Sequence, residues 1–119
     1  MNKADQTKYT NALITYFVAV YTAVHDRPPL INRYKEKWGF ADMLEDLGYE
    51  GGKSVIDYYM SLTMVDHTTI HLFRNYERYA KTIRDRAEDD KRRAALREET
   101  RLRVEKWEAE HGNNGTGSP

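Results

Sequence analysis

His67 and His71 stand four residues apart with Asp66 beside them, and on a helix that spacing could bring two imidazoles to one metal ion. The neighbouring sequence does not complete such a site: no Glu occupies the second position of an HExxH pattern, and no third or fourth ligand follows at a suitable interval. Both rings are expected as ordinary surface or half-buried side chains, with no metal bound. Asp42, Glu45 and Asp46 crowd one face of a helix, which could hold Mg²⁺ or repel phosphate, but a solvated acidic face explains them more simply. The sequence has no glycine-rich phosphate loop and no nucleophile elbow. It has no cysteine either, which removes thiolate chemistry and zinc fingers. The expectation is a non-enzymatic protein that uses no cofactor.

The segment from Phe40 to Met60 carries a different kind of signal. A short helix with Phe40, Met43, Leu44 and Leu47 on one side ends at Leu47-Gly48, and a second helix follows whose Val55, Ile56, Tyr59 and Met60 can pack back on the first. Two helices held at an angle by a glycine turn form a helix-turn-helix-like unit, spanning 40–62. Such a unit can offer the leading end of its second helix to a DNA major groove. Here that end would be Glu50, Lys53, Ser54 and Asp57, with Gly51 and Gly52 allowing backbone to approach phosphate, and with Arg27, Arg33, Lys35 and Lys37 as basic support. The candidate DNA-binding residues are thus Arg33, Lys35, Lys37, Lys53 and Ser54. The buried branched residues fall one place later than usual after the turn glycine, and the reading edge carries two acids and one Lys, where a base-reading helix usually has more Arg, Lys, Asn or Gln. Plain packing of two helices through a glycine turn is the competing reading.

With Lys37-Trp38-Gly39-Phe40 leading into this unit and a charged tail behind it, the chain resembles small helix-turn-helix DNA-binding proteins encoded by bacteriophages. The resemblance implies a role in replication, transcription control or packaging, a double-stranded DNA partner, and a place in the host cytoplasm.

The rear of the chain offers a second surface. From Arg84 to Glu110 there is no Pro or Gly, and opposite charges recur four apart, as in Glu88–Arg92, Asp89–Arg93, Glu99–Arg103 and Lys106–Glu110, which predicts a continuous helix. Arg86, Arg93, Arg97 and Arg101 fall on one side of it, a stripe suited to a phosphate backbone or an acidic partner, or simply to solvent. Leu96, Thr100, Val104 and Trp107 form a narrow apolar seam on the same helix. A tryptophan so far from the core calls for a covering surface, either another protein's groove or a second copy in a brief coiled-coil contact. Sustained apolar heptads are absent, because Arg86, Asp89 and Arg93 occupy positions that a long coiled coil would make apolar. The alternative function is therefore an adaptor that docks on a polymerase, helicase or motor through Arg86, Arg93, Arg97, Arg101, Leu96, Val104 and Trp107, or that self-associates there.

These surfaces need a scaffold, and the pattern predicts an all-α one: a compact helical domain over 1–83, a projecting charged helix over 84–111 and a disordered, linker-like tail over 112–119. Asp5 is expected to cap a first helix running to about Val24, with Leu13, Ile14, Phe17, Val18, Tyr21 and Val24 facing inward, and Pro28-Pro29 stopping it. A short helix from about Ile31 to Trp38 should end at Gly39, and the two helices of the turn unit follow. Asp66 is expected to cap the last helix near His67, with Ile70, Leu72, Phe73, Tyr76 and Tyr79 packing and Ile83 closing the core pattern.

The chain has 119 residues with 19 basic and 19 acidic side chains, so there is no overall field to draw polyanions, and any nucleic-acid surface must be a local patch. The longest apolar run, Ala12 to Val24, is interrupted by polar residues and shorter than the roughly 20 residues a membrane span needs. No signal layout occurs at the N-terminus, and a cytoplasmic protein without membrane contact is expected.

Overall fold

A computed structural model describes residues 1–116, with side chains to Gly112, and every element among them is helical: α1 is Lys3–His25, α2 is Arg33–Ser61 and α3 is Thr69–Thr116. The protein is all-α. Residues 1–83 make one unit and the chain from Arg84 onward makes another, and α3 contributes to both. The tail expected from Gly112 lies outside the described residues at 117–119, and α3 extends as far as Thr116.

Each helix begins and ends for local reasons. Asn2, rather than Asp5, caps α1: its side chain accepts from the Asp5 N–H at 2.8 Å, and Asp5 sits in the first turn where a carboxylate favours the helix dipole. The helix ends when Asp26 turns left-handed at φ 58° and its N–H reaches back to the Thr22 carbonyl, before the prolines are reached. Asn32 caps α2 by accepting from the Tyr34 N–H at 2.9 Å. The last helix starts two residues later than the spacing suggested, because Thr68 supplies the cap, its hydroxyl accepting from the His71 N–H at 3.2 Å. That leaves Asp66 for another role.

The two short helices expected on either side of Gly39 are one. Gly39 does not end a helix; it lets α3 come close, since a Cβ there would fall 2.3 Å from the Phe73 ring. The real break is Gly48, at φ 75° and ψ 174°, a backbone region open essentially to glycine alone. It kinks α2 into two arms, 33–47 and 49–61, so that both can face α1 and the first part of α3.

The core of the first unit collects Leu13, Ile14, Phe17 and Tyr21 from α1, Phe40, Met43 and Leu44 from the first arm of α2, Val55, Ile56, Tyr59 and Met60 from the second, and Leu72, Tyr76 and Tyr79 from α3. Phe40 ties them together, meeting Phe17 edge-on at 5.6 Å and Phe73 at 5.1 Å. Truncating a fully buried ring such as Phe17 or Phe40 to Ala would cost about 3–5 kcal/mol. Two residues expected to pack do not: Val24 and Ile70 are exposed, at the end of α1 and in the first turn of α3. No helix among the described residues is long and apolar enough to cross a membrane.

Candidate binding surfaces

The second arm of α2 buries Gly52, Val55, Ile56, Tyr59 and Met60, which leaves Glu50, Ser54, Asp57 and Ser61 as its exposed side. Lys53 is half-buried rather than offered outward. Its ammonium lies 5.1 Å from the Tyr16 ring centroid and 5.2 Å from that of Tyr49, held between an α1 aromatic and one just past the kink. Beside it, the Tyr16 hydroxyl donates to Asp57 at 2.5 Å, and this bond, helped by burial, pushes the phenol up to about 12. The edge expected to read DNA is thus partly occupied by α1, and what remains exposed is acidic apart from Ser54.

Arg33, Lys35 and Lys37 are exposed at the start of α2, away from that edge in sequence, with Arg33 also donating to the Thr15 hydroxyl at 3.2 Å. They alternate with exposed aromatics. Tyr34 is 82% exposed and Trp38 69%, and the Lys37 ammonium lies 5.2 Å from the Trp38 ring centroid. Arg33 and Lys37, like Tyr34 and Trp38, are four apart and share a helix side, giving a mixed basic and aromatic face.

Between the end of α1 and the turn before α3, the first unit contains a polar cluster that spacing alone did not reveal. His67 is almost fully buried, and its Nε2 donates to the Leu62 carbonyl at 2.8 Å. In a neutral ring that leaves Nδ1 as an acceptor, matched by His25 Nε2–H at 2.7 Å. His71 meets the Tyr79 hydroxyl at 2.8 Å, and the Tyr59 ring stacks on His71 and meets His67 edge-on. Asp66 accepts from the Tyr21 hydroxyl and lies 4.0 Å from the Arg27 guanidinium. The Tyr21 bond is the main reason its carboxyl is held below the usual carboxylate range.

His67 therefore spends both ring nitrogens on the protein, and no group of three or more metal-binding side chains occurs among the described residues. A cleft of about 220 Å³ opens here, lined by Tyr21, Arg27, Leu30, Glu36, Asp66 and His67. That is below the roughly 300–1,000 Å³ of pockets that enclose a drug-sized ligand. Elsewhere in the unit, the Asp46 carboxylate accepts from the Tyr76 hydroxyl, so Asp46, at least, of the acidic cluster is tied into packing.

In the second unit every side chain from Asp90 to His111 is exposed. The helix is laced by ion pairs: Arg93 with Asp89 at 3.1 Å, Arg103 with Glu99 at 2.8 Å, and Arg101 with Glu98 at 2.5 Å and also with Glu105. Arg101 beside it holds the Glu98 carboxyl below its ordinary value. Two arginines of the stripe, Arg93 and Arg101, are therefore compensated by their own helix. The apolar seam is not covered: Leu96 is 62% exposed, Val104 49% and Trp107 60%. The Trp107 ring stacks on His111 of its own helix at 4.6 Å.

The tyrosine–aspartate and histidine pairs join residues 30 to 45 positions apart, which no local periodicity encodes. The available hint was nine tyrosines in a chain this short, several at inward positions where each buried hydroxyl needs a partner. Comparison with protein-family models, with curated proteins and with solved structures found no match for this chain.

Proposed function

We propose that this protein acts by binding another protein chain through the helical face that contains Leu96, Val104 and Trp107. The observation that carries the reading is the exposure of these three side chains on a segment where several of the neighbouring charges are paired within the helix. Arg101 and Arg103 are held by Glu98, Glu105 and Glu99, so they add little free charge, while the apolar seam lies open to water. An isolated exposed Leu is ordinary, but three large apolar residues within twelve positions on one stripe, one of them Trp, make a typical anchor for a partner surface. The first unit then serves as a stable body that carries the contact helix.

The test is co-purification of the tagged full-length protein from the cells that make it, comparing the natural chain with Trp107→Ala. Retained partners, a differently tagged copy of this chain included, should fall about tenfold or more with Trp107→Ala, the scale of an anchor residue. Equal recovery of every retained protein by both chains would refute the reading.

A second reading is favoured by one observation, the exposed face of Arg33, Tyr34, Lys37 and Trp38. Cations set between accessible rings suit nucleic acid, the charges meeting phosphate and the rings stacking on bases. On this reading DNA binding uses the start of α2, with Lys35 at its margin, and leaves Lys53 and Ser54 as bystanders. Arg33→Ala and Lys37→Ala should each weaken binding and reduce the salt slope by about one, whereas Lys53→Ala should not. Duplex and single-stranded oligonucleotides that both fail to shift in a gel at low salt would exclude it.

A further inference from the structure

The exposed stripe of the second unit has a symmetry in its spacing. Asp89, Arg93, Leu96, Thr100, Val104, Trp107 and His111 are separated by steps of four, three, four, four, three and four, so the order of intervals reads the same in both directions. At 3.6 residues per turn these seven positions stay within a stripe about 80° wide. Thr100 is the centre. Turning a second such helix about a two-fold axis through Thr100 sets Leu96 opposite Val104, Arg93 opposite Trp107 and Asp89 opposite His111, and repeats each meeting on the other side.

We infer that residues 84–116 pair with the same segment of a second copy, antiparallel and two-fold symmetric about Thr100. The inference rests on the proposed interaction reading and names its partner. Along the stripe itself the meetings in this register are chemically matched. Leu96 and Val104 supply the apolar centre, both exposed in the single chain. Toward each end, the ion pair of Arg93 with Asp89 faces the stack of Trp107 on His111, so a guanidinium meets an aromatic face and a carboxylate meets an imidazole.

A parallel pairing in the same seam would instead set Arg93 on Arg93 and Asp89 on Asp89, like charges opposite each other. The flanks divide. One flank places Arg92 near Glu110 and Glu99 near Arg103 of the second copy, which favours pairing. The other brings Arg97 near Arg101 and Asp90 near Glu108, which opposes it, although Arg101 is already held between Glu98 and Glu105. With a short apolar centre the interface belongs to the small class, so the dimer should be weak and concentration-dependent.

The absence of natural cysteine makes the register measurable by disulfide trapping in the full-length chain. Thr100→Cys protein should cross-link to itself at about 100 µM, at least fivefold faster than Ser54→Cys protein, position 54 being an exposed site in the first unit; concentrations of this order suit weak complexes. An equal mixture of Leu96→Cys and Val104→Cys chains should yield mainly the mixed 96–104 disulfide. Predominant 96–96 and 104–104 products would overturn the antiparallel register. A monomer mass at the same concentration, with no cross-linking above the Ser54→Cys control, would overturn self-pairing altogether. Neither result touches the Trp107 co-purification test, so this inference can fail while the interaction reading stands.

Discussion

The Phe73 ring occupies the space that any side chain at position 39 would need, with Cε2 only 2.3 Å from where a Cβ on Gly39 would sit. Gly39 is therefore a packing glycine inside a helix, the reverse of a helix stop. Gly39→Ala should destabilise the protein by about 1–3 kcal/mol through overpacking, read as a lower urea midpoint. In a Phe73→Ala background the clash is gone, and the better helix propensity of Ala, about 1 kcal/mol, should make the same substitution neutral or stabilising. Equal losses in both backgrounds would disprove the contact.

The outline of this fold was legible in the sequence because apolar periodicity marks buried faces well. Leu13, Ile14, Phe17, Phe40, Met43, Leu44, Val55, Ile56, Tyr59, Leu72, Tyr76 and Tyr79 were expected inside and are. Boundaries were harder, since a glycine between two apolar runs has the same appearance whether it ends a helix, as suspected for Gly39, or admits a ring from elsewhere. Caps misled for a related reason: Asp5 and Asp66 both suit an N-cap, but Asn2 and Thr68 stand where the backbone needs an acceptor. The candidate surfaces were half legible. The seam at Leu96, Val104 and Trp107 is a local pattern, as is Tyr49 four residues before Lys53, whereas the Tyr16 ring that closes over Lys53 comes from α1 and leaves no trace near it.

Gly48 has open space around it and a backbone only glycine adopts comfortably, so strain alone should decide its substitutions. Gly48→Ala should cost about 1–3 kcal/mol. Gly48→Asn should bring no relief, because Asn tolerates the left-handed helical region and ψ here is 174°, far outside it. Chemical denaturation of the two variants checks both statements, and a fully stable Gly48→Asn protein would contradict them.

Tyr59 is fully buried, and burial is the main cause that raises its phenol from 10.0 to about 12. A raised folded value means that this group's contribution to stability is whole below the ordinary phenol range and is lost as pH climbs toward about 12. Ultraviolet titration should therefore show a late tyrosinate step, shared with Tyr16, whose amplitude Tyr59→Phe reduces by one tyrosine's worth. Were that amplitude unchanged in the variant, the late step would have to belong to other tyrosines, such as Tyr16.

Asp66 behaves with the opposite sign. Its carboxyl is depressed mainly by the Tyr21 hydroxyl, so the stabilisation it brings is present above the usual carboxylate value and disappears as pH falls through the lower folded one. Tyr21→Phe should cost about 1 kcal/mol near neutrality, reduced from a buried charged hydrogen bond because Asp66 is partly exposed. The difference between the two proteins should narrow in acid. A gap that stays constant down to about pH 2, well below the ordinary Asp value, would show that the hydroxyl does not act through this carboxylate.

The central claim is that another chain covers Trp107, and the ring itself can report it. The protein has two tryptophans, so Trp38→Phe leaves Trp107 as the only indole. Acrylamide quenching of that indole should be compared in the dilute protein and in the complex recovered by co-purification, or in concentrated protein if the partner is a second copy. The account predicts a several-fold loss of accessibility together with a blue shift on association. Identical quenching and an unshifted, water-like emission in every state would contradict it.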